Sequence, residues 1–407
     1  MSATAILDAP PVKAWPQAKL ADVADIVNGG TPKSNVAEFW DGEHQWLTPA
    51  DMGKMVGREI GQTPRTITAM GLAKSSARLA PPKSVILSTR APIGHLAINA
   101  VPMAFNQGCR ALVPGPKLDH VFLYYFLLHS RELLNDLGTG TTFKELSATS
   151  LKTVQIPLPP LEEQKRIVAV LDQAFAALDR ARALAEANLA DAEELFDGWL
   201  TAVFHEHPAE WSSSKLRDLC HQITVGFVGP MADRYSSEGT PFLRSQNVRP
   251  FRIDLADVKF IGDAFRAELK KSELRPGDVA IVRTGYPGTA AVIPDDLPLA
   301  NCADLVIARP KQVLHPEFLA MFLNSSFGKK MVSEKSVGAA QKHFNVGAAK
   351  EVDFAYPTLE EQRAIVSQMK AMRGYSTRLR DQCQAKIDEL QRLRQALLQQ
   401  AFAGELT

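Results

Sequence analysis

The string Leu161-Glu162-Glu163-Gln164-Lys165-Arg166 returns 198 positions later as Leu359-Glu360-Glu361-Gln362-Arg363-Ala364. The same offset aligns Gly140 with Gly338, Lys144 with Lys342, Val154 with Val352, Pro159 with Pro357, Ile167 with Ile365 and Phe204 with Phe402. Nearer the start of each copy the offset drifts to 196 (Trp15 with Trp211, Leu20 with Leu216) and then to 194 (85–94 with 279–288), as loops of unequal length require. A chain of 407 residues is long for one domain. An internal repeat of this length means that whatever the first half folds into, the second folds into as well.

Two textures alternate within each half. The first part is rich in Gly, Pro and β-branched runs, such as Ser84-Val85-Ile86-Leu87-Ser88-Thr89 and Asp278-Val279-Ala280-Ile281-Val282, which read as short strands joined by turns. One helix is expected before the end of each part, over 121–137 and 316–332. The texture changes at Pro157-Leu158-Pro159-Pro160 and at Pro357, where proline suits the first turn of a helix but not its interior.

From 161 to 204 no proline intervenes, and apolar residues fall at Ile167, Leu171, Ala174, Leu178, Ala181, Ala185, Ala192, Leu195 and Trp199. The second copy offers Ile365, Met369, Met372, Leu379, Cys383, Leu390, Leu393 and Leu397. Steps of four and three describe a coiled-coil seam, interrupted by Asn188 in one copy, Lys386 in the other, and again at Ser376. Residues 158–210 carry a net charge of −7 and residues 358–407 a net +2, so the exposed flanks of two such helices attract. With a globular domain ahead of each helix, antiparallel pairing is the natural arrangement. It puts the domains at opposite ends of a rod of roughly 60 Å, about an approximate two-fold axis. The competing arrangement is a long core helix inside each of two ordinary domains; the length and the sustained spacing argue against it. The expected fold is therefore α+β: two similar mixed α/β domains separated by a pair of long antiparallel coiled-coil helices, a pseudo-two-fold internal duplication. Its boundaries are an N-terminal arm over 1–14, domains over 15–157 and 208–357, and long helices over 158–207 and 358–407.

The chain is 45% hydrophobic and 22% charged, which supports substantial cores. The overall charge of +1 hides two globular segments, 1–157 and 211–357, that each carry +3, a balance that permits contact with phosphate. Four scattered cysteines, Cys109, Cys220, Cys302 and Cys383, form no zinc or redox spacing and read as reduced thiols. The longest apolar run, 121–128, is too short for a bilayer, and no leader pattern opens the chain, so a cytoplasmic protein is expected.

A search for catalytic signatures finds none. Phe327-Gly328-Lys329-Lys330 lacks the rest of a phosphate-binding loop, and no glycine-rich cofactor loop or Asn/Asp-Pro-Pro-aromatic string is present. His205-Glu206-His207 spaces its histidines too closely for a helix to aim both at one metal, and Asp295-Asp296 sits in a turn. No catalytic residue and no metal site are expected.

The duplicated pattern resembles the specificity subunit of type I restriction–modification systems. The resemblance is carried by Ile156-Pro157-Leu158-Pro159-Pro160-Leu161-Glu162-Glu163-Gln164, the second Leu-Glu-Glu-Gln at 359–362, and the endings Ala202-Val203-Phe204 and Ala401-Phe402-Ala403-Gly404-Glu405-Leu406. Within the domains, the segments 241–248 and 277–285 are similar to recurrent family segments. The resemblance implies that each globular part is a target-recognition domain reading one half of a bipartite, non-palindromic double-stranded DNA site. The helices would fix the gap and dock two methyltransferase (modification) subunits, and a restriction/translocase subunit would join. S-adenosylmethionine, ATP and Mg would then belong to the partners and not to this chain. The rival readings are a coiled-coil scaffold whose globular domains bind proteins and an enzyme with an unrecognised site.

Arginine pairs with guanine, and asparagine or glutamine with adenine, in the major groove. On that basis the candidate DNA contacts are Arg244, Gln246 and Asn247 between two prolines, Arg283 and Thr284 at a strand end, and Gln341, Lys342 and His343 in the loop after Gly338. The first half contributes Thr48, Asp51, Arg90 and Gln107, with Thr141, Thr142 and Lys144 in the matching loop. The candidate helix-pair seam is Ile167, Leu171, Leu178, Leu195 and Trp199 against Ile365, Met369, Leu379, Leu390 and Leu397.

Overall fold

The computed structural model describes residues 15–90, 92–140, 144–206, 208–335 and 343–406. The chain divides into two compact units that cut across the sequence segments: residues through Leu184 join those from Lys386 onward, and Ala185–Ala385 forms the second. The arm over 1–14 lies outside the described residues.

In the first unit, β1 (Ala24–Asn28), β2 (Val85–Thr89), β3 (Ile93–Asn99) and β4 (Cys109–Pro114) form an antiparallel sheet in the order β1-β4-β2-β3, with the short strand Glu59–Ile60 added parallel to β3. The apolar run 85–89 is buried on both faces because its alternate side chains serve different cores. Val85 and Leu87 point at a cluster containing Phe122, Phe126 and Leu171, whereas Ile86 faces Leu47, Met103 and Phe105. The helix expected over 121–137 is two: α1 (His120–His129) and α2 (Arg131–Asp136), broken at Ser130. Asp119 caps α1 by accepting from the backbone N–H groups of Val121 and Phe122. The long helix α3 (Leu161–His205) follows the proline boundary.

The second unit repeats this plan. Its sheet runs β5-β8-β6-β7, from β5 (Cys220–Val225), β6 (Val279–Val282), β7 (Ala290–Val292) and β8 (Leu305–Pro310), again antiparallel throughout. Val279 and Ile281 face a cluster with Phe318 and Phe322, and Ala280 and Val282 face one with Leu243 and Cys302. The expected helix over 316–332 is likewise split, into α4 (Pro316–Asn324) and α5 (Ser326–Lys335). Ser325 breaks it: its backbone is extended and its hydroxyl accepts from Gly328 N–H, giving α5 an N-cap of its own. The last long helix is α6 (Leu359–Ala403).

The repeated Leu-Glu-Glu-Gln string has a physical reason in each unit. Gln164 is fully buried, donates to the carbonyls of Pro159 (2.8 Å) and Lys117 (2.9 Å), and accepts from Asp119 N–H (2.8 Å). Gln362, equally buried, donates to Pro357 and Val313 (2.9 Å each) and accepts from His315 N–H (2.8 Å). One amide thus fastens the first turn of a long helix to the loop that starts α1 or α4. Gln362→Leu keeps the volume but strands one buried and two part-buried backbone groups, so it is expected to cost about 2 kcal/mol, read as a lower urea midpoint; a midpoint equal to wild type would refute the role.

Both units contain a run of α3 and α6 packed antiparallel. In the first, Asp179 accepts from Arg394 (2.6 Å), while Leu171 and Phe175 share a core with Leu398 and Ala401. In the second, Arg380 lies 3.4 Å from Glu193, Ser376 donates to Ala192 O (2.7 Å), and Leu200 shares a core with Val366 and Met369. Both ion pairs set an acid of α3 against a base of α6, as the segment charges imply. They are half-exposed and contribute little to stability.

The seam needs one correction. Ile167, Leu171, Met369 and Leu390 are buried, and Leu178, Trp199, Ile365, Leu379 and Leu397 are half-buried, but Leu195 is 42% exposed and Leu393 47% exposed. Phe196 and Leu200 turn inward instead. Asn188 and Lys386 do not interrupt the seam either; both are exposed, and Leu189 and Ile387 occupy the inward positions. A helix of 3.6 residues per turn drifts against a strict seven-residue pattern, so the buried stripe moves by one position along its length. Ser376 does lie on the stripe, where its hydroxyl finds the Ala192 carbonyl.

Candidate nucleic-acid interface

At one end of each sheet, four segments are tied by backbone hydrogen bonds, two of which recur between the units. In the first unit Asn106 N–H donates to Leu47 O (2.9 Å), Thr89 N–H to Gly108 O (2.8 Å) and Leu146 N–H to Thr89 O (2.9 Å). In the second, Ala303 N–H donates to Leu243 O (2.9 Å) and Phe344 N–H to Arg283 O (3.1 Å). These bonds bring together segments far apart in sequence: 47–51, 89–90, 106–108 and 144–146 in one unit, and 243–247, 283–284, 303–304 and 343–344 in the other. The candidate residues of each half therefore converge, apart from Thr141, Thr142, Gln341 and Lys342, which lie outside the described residues.

Their side chains are engaged to different degrees. Lys144 and Gln107 are exposed, and Gln107 accepts from Thr31. Arg90 lies 3.9 Å from Glu145, which is also 4.0 Å from Arg110. Thr48 and Asp51 form a capping box: the Asp51 carboxylate accepts from the Thr48 N–H (3.0 Å) and hydroxyl (2.6 Å), and Thr48 Oγ1 accepts from Asp51 N–H (3.3 Å). That closed loop gives both residues a local task, bracing the start of the short helix they cap.

In the second unit Arg244 and Gln246 share one acceptor, Asp257 Oδ2, at 3.2 and 2.7 Å. The hydrogen bond from Arg244 and the charge of Lys259 hold the Asp257 carboxyl below its ordinary range. Asn247 is 2% exposed; its Oδ1 accepts from Arg244 N–H and its amide donates to Asp254 O. A buried amide satisfied on both sides cannot present itself to a base edge, so Asn247 is corrected to a structural residue of the loop. Arg283 donates to Asp304 at 2.5 Å and Thr284 reaches the same carboxylate at 3.5 Å. His343 is half-buried beside them.

Sequence reasoning missed the carboxylates Glu145, Asp257 and Asp304, because each meets its arginine through the fold and not through local spacing. It also missed Tyr286, 83% exposed at the β6–β7 turn between two left-handed glycines, Gly285 (φ 81°) and Gly288 (φ 88°). The Gly-Tyr-Pro-Gly turn was legible as a signal for a presented side chain. All four cysteines are free and buried, with burial pushing the Cys109 and Cys220 thiols up to about 12. Among the described residues, no helix is long and apolar enough to cross a membrane.

This duplicated sheet-and-helix frame has known relatives. Residues 13–187 match the model of the type I restriction modification DNA specificity domain. The chain is 30% identical over 253 residues to the MjaIX specificity subunit of Methanocaldococcus jannaschii, an alignment covering 58% of each protein. It is 23% identical to the EcoKI specificity subunit of Escherichia coli, covering 97% of this chain and 89% of that one. Among solved structures, a chain from a study of complex assembly and conformational transition of the type I R-M system superposes with a TM-score of 0.77 at 22% identity, covering 98% of this chain and 100% of that chain. The HsdS subunit from Thermoanaerobacter tengcongensis gives 0.62, also at 22% identity, covering 98% and 99%. The chain is thus similar to type I restriction–modification specificity subunits, with the DNA specificity domain matched over residues 13–187.

Proposed function

We propose that each unit reads one half of a bipartite double-stranded DNA site through its loop cluster, and that α3 and α6 fix the interval between the halves. The observation that carries this reading is the recurrence, at the same end of equivalent sheets, of a converging set of hydrogen-bonding side chains: Arg90, Gln107 and Lys144 in one, Arg244, Gln246 and Arg283 in the other. Donor-rich loops of this kind suit base edges in the major groove. The exposed flanks of the long helices are the docking face for two methyltransferase subunits, with a restriction/translocase subunit joining the assembly in the cytoplasm. The chain itself is non-catalytic; S-adenosylmethionine, ATP and Mg are held by the partners.

Genome-wide mapping of methylated sites in the native host is the direct test, and a bipartite motif that disappears when this chain is deleted is the expected result. At residue level, Arg283→Ala in the methyltransferase-bound complex is expected to weaken binding to that motif about tenfold or more while assembly by size-exclusion chromatography is unchanged. Wild-type affinity across a salt titration would reject Arg283 as a reader.

A further inference from the structure

The arginines of both loop clusters share a feature that a simple phosphate-gripping surface would not have: each faces a carboxylate. Arg244 is bonded to Asp257, Arg283 to Asp304, and Arg90 and Arg110 flank Glu145. Acidic groups beside the basic ones repel the DNA backbone, so their presence works against sequence-independent binding.

Asp304 is the most constrained of the three. Its φ is 51°, a left-handed conformation uncommon for a residue with a side chain, and its N–H donates to Phe227 O (3.0 Å). Ala303 before it is bonded to Leu243. The backbone is thus held from both sides in the geometry that puts the carboxylate on Arg283, whose side chain is 17% exposed.

The duplication supplies a comparison inside one chain. Val282 pairs with Leu305 in the second unit and Ser88 with Cys109 in the first, so Asp304 corresponds to Gly108. A Cβ at Gly108 would lie 3.1 Å from Arg90 Nε, and the first unit takes its carboxylate from Glu145 on another loop. Glu145 corresponds in turn to His343 at the offset of 198. The two halves therefore reach the same arrangement, an arginine with its charge shared, from non-equivalent positions. Common descent does not explain that; a common requirement does.

We propose that Asp304 is a specificity-determining residue: it offsets the charge of Arg283 toward phosphate and fixes the guanidinium, so that the arginine is given to a neutral base edge and not to the backbone. Guanine offers two acceptors, N7 and O6, without the full negative charge that Asp304 repels. The proposal rests on the reading that the second unit contacts DNA.

The test uses the complete complex with its methyltransferase subunits carrying Asp304→Asn or Asp304→Gly. Both residues accept a left-handed φ, and glycine is what the first unit has at this place. The probes are a pool of random-sequence duplexes and a duplex bearing the mapped methylation motif. Both variants are expected to bind the random pool about threefold or more tightly at low salt, with the log–log salt slope steeper by about 1, and to lose about tenfold in preference for the motif. Wild-type slope and preference in both variants would overturn the proposal. So would an equal loss on both probes, the result expected of a contact that only holds the loop together. If instead Arg283→Ala and wild type bind both probes identically, it is the DNA-reading role of this loop that fails.

Discussion

Removing seven residues from the middle of each long helix should shorten the interval between the two recognised half-sites by about three base pairs and leave the sequence of each half-site unchanged. Seven residues are two turns, about 10.5 Å of rise, and the duplex advances about 3.4 Å per base pair. A two-turn deletion also keeps the apolar stripe in phase to within roughly 20°, so residues such as Leu171 and Leu398 in one unit, and Leu200 and Met369 in the other, keep their neighbours. Three base pairs turn the groove by roughly a quarter of a duplex revolution, so the original motif should be bound at least about a hundredfold less tightly, within the range that separates specific from non-specific binding. Methylation mapping with the shortened chain reads the interval directly. An unaltered interval would remove the helices from any spacing role.

The second large effect lies where the long helices end. Phe204, in the last turn of α3, is 2% exposed, with its ring centroid 5.2 Å from Phe318, 5.5 Å from Phe322 and 6.5 Å from Trp211. Phe402, in the last turn of α6, lies 5.2 Å from Phe122, 5.6 Å from Phe126 and 5.4 Å from His129. Each helix therefore begins with its glutamine fastened in one unit and ends with a phenylalanine in the core of the other unit's domain. Phe204→Ala should destabilise the second unit by about 3–5 kcal/mol, the usual cost of emptying a buried aromatic site, and Phe402→Ala, half-buried, by about 2 kcal/mol in the first. Urea unfolding followed by tryptophan fluorescence separates the two when the other unit's tryptophans are replaced by phenylalanine: Trp199 and Trp211 report on the second unit, and Trp15, Trp40 and Trp46 on the first. A change of the size of an ordinary surface substitution, about 0.5 kcal/mol, at Phe204 would contradict the anchoring role.

Much of this was legible in the string of residues. The strands at 85–89 and 279–282 followed from short β-branched runs between turn signals, and the long helices from proline boundaries and apolar spacing. The helix breaks at Ser130 and Ser325 were not: a serine inside an apolar run is silent until the backbone turns there, and at Ser325 the hydroxyl then caps the next helix by accepting from Gly328 N–H. Leu195 and Phe196 are adjacent and both apolar, and only the drift of a real helix decides which of them is buried. Among the candidate readers, Asn247 looked the same on paper as Gln246. Burial and two satisfied hydrogen bonds set it apart.

The repeat alone determined that two equivalent domains and two equivalent helices must exist, since residue spacing and polarity are properties of the chain and survive without coordinates. Which carboxylate faces which arginine, and which half of each helix belongs to which compact unit, came only from the tertiary structure. Contacts such as Arg283 with Asp304 or Gln362 with Val313 join residues whose separation along the chain carries no periodic signal, and their partners are fixed by packing in three dimensions.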